Sequence, residues 1–501
     1  MPAKPIMLQG TGSDVGKSVI ATALCRIFLQ DGFRVAPFKS QNMALNSFVT
    51  KDGGEMGRAQ VVQAQACRIE PHVNMNPILL KPTSDVGSQV IVEGRPIGNM
   101  RVDEYFEFKK TKALPIVKKC YERLANEFDI IVIEGAGSPA EINLRDGDIV
   151  NMTMAELADS PVVLIGDIDR GGVFASLVGT LELIQPEERE RIKGMLINKF
   201  RGKKELLDSG LVMIEKRCGI PFLGVIPWFR NIVIPDEDSV ALGQKNYKAE
   251  QFADKINIEV VRLPHLSNFT DFDALELEPD VNLYYVNTPP TESSVPDVLI
   301  IPGSKHTIAD MKFLVESKFD ERIQNLATKN TEIIGICGGY QTLGRLIIDE
   351  FKVESESGTI NGLGLLPINT FFEQEKFTKQ VTAIDMATGL QVRGYEIHVG
   401  QPKLLEKCDV IFQISDGRFD GAKIENVWGT YLHGVFDEDE YRRAFIDRLR
   451  SKKGLPPLRE IQFRFDQDAE YDKLAELVRN NIDMEKIYEI VGIHPADYLR
   501  L

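Results

Sequence analysis

Apolar runs and amphipathic stretches alternate along the first 235 residues. β-Branched segments at Pro5–Gln9, Arg34–Phe38, Asp129–Glu134, Pro161–Asp167, Gly194–Asn198 and Phe222–Pro227 are separated by stretches of helical periodicity. That is the pattern a parallel sheet with crossover helices requires. Each run ends in Gly, Asn, Asp or Pro, where a doubly wound sheet places its ligand loops. Over residues 236–255 the pattern dissolves into polar residues with Gly243, Asn246 and Lys248, as in a linker. A second series starts at Ile256 and runs through Asp297–Pro302, Glu332–Cys337 and Val427–Leu432, followed by a charged, helical tail. The predicted organisation is α/β throughout: a doubly wound domain over 1–235, a linker over 236–255, a second α/β domain over 256–445, and a helical extension over 446–501 that can pack on either domain.

Composition narrows the function. A chain of 501 residues is too long for one hydrophobic core, which agrees with two domains. Its 59 basic and 74 acidic side chains give a formal net charge of -15 with no long Lys/Arg run, so nucleic acid and anionic membrane are poor partners. The N-terminal stretch is too short for a secretory signal and no run approaches a membrane span, so a cytoplasmic location is expected. The six cysteines form no Cys-x-x-Cys pair, which argues against a disulfide framework or a zinc site. Cys25, Cys67, Cys120, Cys218 and Cys408 read as small hydrophobes; Cys337 does not.

Two stretches carry chemistry. Gly10-Thr11-Gly12-Ser13-Asp14-Val15-Gly16-Lys17-Ser18 lies between an apolar strand and a helical run. In that context backbone N–H groups and a helix N-terminus cradle phosphate, Lys17 adds a point charge and Ser18 can hold Mg²⁺. Thr11 stands where the strict motif has glycine, with Gly10 and Gly12 on either side. Glu134 ends a buried strand and is the candidate carboxylate for Mg²⁺. Glu55 is a second metal candidate or simply an exposed loop residue, and Asn198 either reads adenine or closes a turn.

The second stretch, Glu332–Gln341, reads as strand, glycine-assisted turn and helix, which puts the Cys337 thiol at a helix N-terminus that favours thiolate. His433 ends a later strand and is the partner for a nucleophilic Cys-His pair. Ile301–Lys305 ends a third strand, where Gly303 and Ser304 can supply oxyanion donors. Position 435 is Val, so a carboxylate two residues after the histidine is absent; Glu396, Asp437 or a backbone carbonyl remain as ways to orient His433. His72, His265, His306 and His494 show no metal-ligand spacing.

The order of oxyanion turn, Cys and His resembles a class I glutamine amidotransferase domain, and the offset phosphate loop resembles the dethiobiotin synthetase group. Joined, these halves are similar to the cobyric acid synthase family. The resemblance rests on Ala36–Ser47, Glu55–Gln60, Asn76–Pro82, Gly166–Gly172 and Gly394–His398, and it covers almost the whole chain. It implies ATP- and glutamine-dependent amidation of the b, d, e and g carboxylates of a corrinoid, adenosylcobyrinic acid a,c-diamide, through a carboxyl phosphate. It implies ATP and Mg²⁺ at Gly12, Gly16, Lys17, Ser18, Glu134 and Asn198. Glutamine contacts fall at Gly303, Ser304, Gly338 and Gln341, and an acceptor pocket is lined by Lys39, Gln41, Asn42 and Asn46. The competing readings are an amide synthase for another carboxylate and a regulatory phosphate-loop ATPase with a vestigial second domain.

Overall fold

The run expected at Pro5–Gln9 becomes the strand Lys4–Gly10, flanked on both sides by parallel neighbours. In the computed structural model, which describes residues 2–84, 87–235, 250–290, 294–355, 357–464 and 466–493, the chain divides into two compact units. The first holds Met1–Ala44, Gly54–Glu237 and Asp466–Leu501, and the second holds Leu45–Gly53 and Asp238–Phe465. Most of the expected linker, 236–249, lies outside the described residues. Among the described residues no helix is long and apolar enough to cross a membrane.

The six strands of the first unit are ordered Phe222–Pro227, Ile192–Phe200, Val162–Asp167, Lys4–Gly10, Ile130–Glu134 and Val35–Phe38, all parallel. Strands such as Ile130–Glu134 are buried along their whole length, which explains their continuous apolar runs. A second sheet of Gln41–Met43, Ile78–Ser84, Gly87–Val92 and Arg95–Arg101 was not expected from the pattern. Its strands mix short apolar runs, Ile78–Leu80 and Val90–Val92, with Gly, Pro and charged residues and carry no clear period-2 signal.

The tail is not one extension. Helix Asp439–Lys453 belongs to the second unit and buries Phe445, Ile446 and Leu449 there. Helices Gln467–Arg479 and Met484–Val491 belong to the first unit. The stripe Tyr471, Leu474, Ala475 and Val478 has helical spacing and enters the same core as Ile20, Leu24 and Phe28 of the phosphate-loop helix. Arg26, 1% exposed, crosses from that helix to Asp472 at 2.7 Å and Asp468 at 3.1 Å.

In the second unit the main sheet is ordered Val281–Val286, Ile256–Val261, Val298–Ile301, Glu332–Ile336, Val427–Thr430 and Ala422–Ile424, parallel except at the last strand. A long antiparallel hairpin, Ile368–Asp385 with Gln391–Leu404, belongs to another sheet and puts Phe377 opposite His398 and Lys379 opposite Glu396.

Because Leu474 is fully buried in the first unit's core, Leu474→Ala is expected to cost about 2–5 kcal/mol. Urea denaturation followed on the full chain checks this; a shift under about 0.5 kcal/mol would make the tail helix a surface addition.

Candidate active site

In the second unit, strand Glu332–Ile336 delivers Cys337 into a strained backbone, φ 50° and ψ -104°, at the N-terminus of helix Gly338–Leu343. Two backbone bonds hold it there: Cys337 N–H donates to Thr430 O at 2.8 Å, and Gln341 N–H donates to Cys337 O at 3.1 Å. Strain of this kind persists where the surroundings over-determine it. Residue 339 has to be glycine, since a Cβ there would fall 1.9 Å from the Ile301 carbonyl oxygen. The thiol therefore projects from a sharp elbow, and its Sγ lies 3.6 Å from the Ile397 carbonyl.

His433 is buried, and the Cys337 thiol is among the groups that act on its titration. Its Nδ1 bonds Asp271 Oδ2 at 2.7 Å, while Gly434 N–H donates to the other oxygen of Asp271 at 3.0 Å. Asp271 is thus the orienting carboxylate that the residue two after His433 does not provide. Glu396, one of the two expected candidates, is engaged by Arg418 at 2.7 and 3.1 Å instead, and Asp437 does not take Nδ1. Asp271 stands in the turn Phe269–Phe272, which follows the first strand of this sheet. The sequence signal there is Ser267-Asn268-Phe269-Thr270-Asp271, a polar cluster beyond the strand Ile256–Val261.

Three further contacts fix this turn. Asn268, at φ 54°, places its Nδ2 3.3 Å from His433 Nε2 and accepts the Ser47 N–H at 3.1 Å. Asn46 accepts the Phe269 N–H at 3.2 Å. Asn46 therefore belongs to the second unit and braces the turn that carries Asp271. The Tyr395 ring stacks on His433 at 5.2 Å and 18°.

Burial alone would lower the His433 pKa, but the Asp271 carboxylate and the Cys337 contact outweigh it and raise it from 6.5 to about 10. The imidazolium is therefore favoured at neutral pH, the charge state that accompanies a thiolate. Gly303 and Ser304 do approach: a Cβ on Gly303 would lie 3.0 Å from His433 Cε1, and one on Gly338 2.8 Å from the Ser304 nitrogen. The Ser304 hydroxyl itself donates to Asp310 at 2.6 Å, which leaves its backbone N–H as the relevant donor. Gln341 is buried, accepting from Thr307 at 3.0 Å and donating to Tyr431 at 3.3 Å.

In the first unit the phosphate loop turns through Gly16, φ 96°, into helix Lys17–Gln30. A Cβ on Gly16 would meet Asn198 Nδ2 at 2.1 Å. Asn198 donates to the Val15 carbonyl at 2.8 Å, so its amide nitrogen braces the loop instead of only closing a turn. Lys199, which the pattern did not single out, donates to Asp14 O at 2.5 Å and to Asp167 at 2.9 Å. Lys17 curls over the loop onto the carbonyls of Gly12 and Gly137, at 2.9 and 3.1 Å.

Glu134 is the hub of this corner. Ser18 Oγ and Lys39 Nζ donate to its Oε1 at 2.8 and 2.7 Å, and Gln63 donates to Oε2 at 2.6 Å. Lys39 thus shares the Glu134 carboxylate with Ser18. Ser18 and Glu134 form a hard, oxygen-only donor pair, which fits Mg²⁺ held jointly with phosphate. Among the described residues no three His, Cys, Asp or Glu side chains cluster as a metal site on their own. Glu55 is not an exposed loop residue: it is 1% exposed and accepts from Lys81 Nζ at 2.8 Å. Asn42 donates to Gln60 at 3.2 Å, and Gln41 accepts from Tyr105 at 2.6 Å. His72 caps the short turn Val73–Met75, His306 caps helix Thr307–Glu316 and His265 pairs with Asp310, while His494 lies outside the described residues.

The fold and the two sites define a chain that joins a phosphate-loop nucleotide-binding domain to a thiol-dependent glutamine amidotransferase domain. Residues 6–239 match the CobQ/CobB/MinD/ParA nucleotide binding domain, and residues 257–441 match the CobB/CobQ-like glutamine amidotransferase domain. The chain is 52% identical to the cobyric acid synthase of Clostridium acetobutylicum, over 97% of this chain and 99% of that protein. It is 51% identical to that of Streptococcus sanguinis and 47% identical to that of Syntrophobacter fumaroxidans, each over 98% of this chain and 99% of the relative. The chain belongs to the cobyric acid synthase family and is a glutamine-dependent amide synthase.

Asp271→Asn is expected to lower kcat for glutamine hydrolysis by roughly 10²- to 10⁴-fold, because the imidazole loses its tautomer lock and counter-charge. Glutamate release measures it, and a loss under about threefold would remove Asp271 from the mechanism. The same pair has a pH signature. Since the folded-state pKa lies above the ordinary 6.5, its stabilisation is full below about pH 6.5 and is gone once pH passes about 10. The urea stability gap between wild type and Asp271→Asn should shrink over that window; a gap that widened with pH would contradict the assignment.

Proposed function

We propose that this chain uses ATP and glutamine to convert the b, d, e and g side-chain carboxylates of adenosylcobyrinic acid a,c-diamide to carboxamides, giving adenosylcobyric acid. The observation that carries the reading is the Cys337–His433–Asp271 array, in a chain similar to cobyric acid synthases over nearly its full length. An array in which every member is oriented argues against a vestigial second unit.

In the second unit Cys337 Sγ attacks the amide carbon of glutamine. His433 gives its proton to the departing ammonia, and water then releases glutamate from the thioester. The Ser304 backbone N–H stands where an oxyanion donor is needed. In the first unit Lys17 and the loop amides hold the triphosphate, and Ser18 and Glu134 would hold Mg²⁺, whose charge offsets that of the phosphates. Lys39, beside Glu134, is placed to meet the carboxylate as it takes the γ-phosphoryl group. Carboxylates do not accept ammonia unactivated, so attack on the carboxyl phosphate expels phosphate and leaves the amide. Gln41 and Asn42, on the strand that follows Lys39, are assigned to acceptor binding.

The test is acceptor-dependent ADP release with cobyrinic acid a,c-diamide, with mass spectrometry of the product. Lys17→Ala should abolish synthesis with either glutamine or ammonia as nitrogen source. Cys337→Ala should abolish synthesis from glutamine and keep synthesis from ammonia. ADP release that ignores the corrinoid would point to a different acceptor, and glutamine-dependent synthesis by Cys337→Ala would end the amidotransferase reading.

A further inference from the structure

A second carboxylate and imidazole meet behind the oxyanion turn of the second unit, and the thiol chemistry above does not use them. Asp310, in the first turn of helix Thr307–Glu316, has a fully buried side chain. Its Oδ2 accepts from the Ser304 hydroxyl at 2.6 Å. Its Oδ1 accepts the His265 backbone N–H at 3.2 Å and bonds His265 Nδ1 at 2.8 Å. An ionised carboxylate only accepts, so Nδ1 carries a proton in both the neutral and the charged ring. The His265 side chain is 31% exposed and exchanges its second proton with solvent. The hydrogen bond to Asp310 raises the His265 pKa above the ordinary 6.5, against a smaller lowering by burial. The His306 ring lies 5.4 Å from it, with a pKa lowered by burial and by His265. Beyond His306 stand Lys305 and Glu354, whose Oε2 is 3.7 Å from His306 Nδ1 and whose pKa burial pushes up to about 8.

These bonds act on the turn that carries the oxyanion donor. Ser267 N–H donates to Gly303 O at 2.9 Å, Lys305 N–H donates to His265 O at 2.9 Å, and Leu266 bridges Ser304 between them. In a trans peptide the C=O and the following N–H point in opposite directions. The Gly303 carbonyl faces Ser267, so the Ser304 N–H faces the other way, toward Gly338, where a Cβ would lie 2.8 Å from that nitrogen. The Ser304 hydroxyl also accepts the His306 N–H at 2.9 Å, so its side chain is held from both ends. Asp310 thus locks the Ser304 side chain and, through His265, the segment against which the Ser304 backbone is aligned. That segment runs on into the turn that holds Asp271.

We propose that Asp310 is a positioning residue for glutamine hydrolysis, aiming the Ser304 N–H at the oxyanion, and that protonated His265 is the counter-charge that makes a buried carboxylate tolerable there. The inference rests on the glutaminase reading above. A donor already aimed at the tetrahedral oxyanion stabilises it without reorganising. An uncompensated carboxylate bonded to the same serine opposes that oxyanion, because like charges repel strongly where water is excluded. His265 offsets the carboxylate while protonated and ceases to do so once neutral, although its Nδ1–H bond to Asp310 survives. Since the His265 pKa is raised, the cation persists past pH 6.5 and is lost as pH rises further, so kcat is higher on the acid side of this ionisation.

The experiment follows glutamate release by the full chain from about pH 6 to about pH 9. Wild-type kcat should step down by roughly threefold or more as pH rises. His265→Arg, a permanent cation, should hold the upper level, and His265→Asn, a neutral donor, the lower one, each without the step. A step that persists in both variants belongs to another group, such as Glu354, and overturns the role of His265, as does a wild type without a step. Asp310→Asn should lower kcat roughly 10- to 100-fold with KM for glutamine moved by less than about threefold. In the same variant, alkylation of Cys337 by iodoacetamide, a displacement that forms no oxyanion, should keep its rate within about twofold. Alkylation that slows in parallel, or a kcat that does not fall, overturns the role of Asp310. If Asp310→Asn fails to fold by circular dichroism, the two His265 variants carry the test. Cys337→Ala keeps the outcomes separate: continued hydrolysis sinks the glutaminase reading itself, whereas loss of hydrolysis with an unmoved pH step in the His265 variants sinks only the assignment made here.

Discussion

A buried carboxylate bonded to a buried imidazole is the interaction on which the second unit's chemistry depends. Asp271 and His433 have side chains 3% and 1% exposed, so neither charge is tolerable without the other. Each neighbouring element serves this pair. Asn268 takes a left-handed backbone that turns the chain back toward His433, the Asn46 side chain and the Ser47 N–H pin that turn, and Tyr395 both stacks on the imidazole and exchanges backbone bonds with residue 433 at 3.2 and 2.9 Å. The strained Cys337 elbow then faces a base whose tautomer and charge are already set, so little reorganisation remains when glutamine arrives.

The first unit solves a related problem with the opposite sign of partner. The Glu134 carboxylate is held by a hydroxyl, an ammonium and a carboxamide, which fix its two oxygens at the C-terminal end of a central strand. Lys39 supplies the buried cation that pairs with it. Both sites follow the general placement of ligand chemistry at the carboxyl ends of parallel strands. They also share a device in that a buried acid positions the working group while that group's own strand or helix fixes the backbone.

The six strands of the first unit's main sheet and the four inner strands of the second's were legible because buried parallel strands write continuous β-branched runs, and because Cys337, His433 and Glu134 each close such a run; the edge strands Val281–Val286 and Ala422–Ile424 were not read. Asp271 was not legible in the same way. It lies 162 residues before His433, in a turn without periodicity, and a local search two residues beyond the histidine meets Val435, which is buried in the core. Asn46 follows Lys39 closely in sequence, yet the chain passes from one unit to the other at Leu45, which no hydrophobic pattern marks. The tail read as one helical extension because charge conceals the difference between Phe445-Ile446-Leu449 and Tyr471-Leu474-Val478, stripes that enter separate cores. Glu55 read as exposed because a buried ion pair looks like any polar residue until its partner, Lys81, is known.

The central claim is that nitrogen freed at a Cys-His-Asp site ends on a carboxylate activated at a phosphate-loop site of the same chain. Following the nitrogen tests it most directly. With amide-¹⁵N-labelled glutamine, ATP and cobyrinic acid a,c-diamide, in the presence of unlabelled ammonium, the account predicts ¹⁵N in the new carboxamides and one labelled nitrogen for each ADP formed. Carboxamides that carry only unlabelled nitrogen while glutamine is hydrolysed, or ADP formed without any new carboxamide, would contradict it.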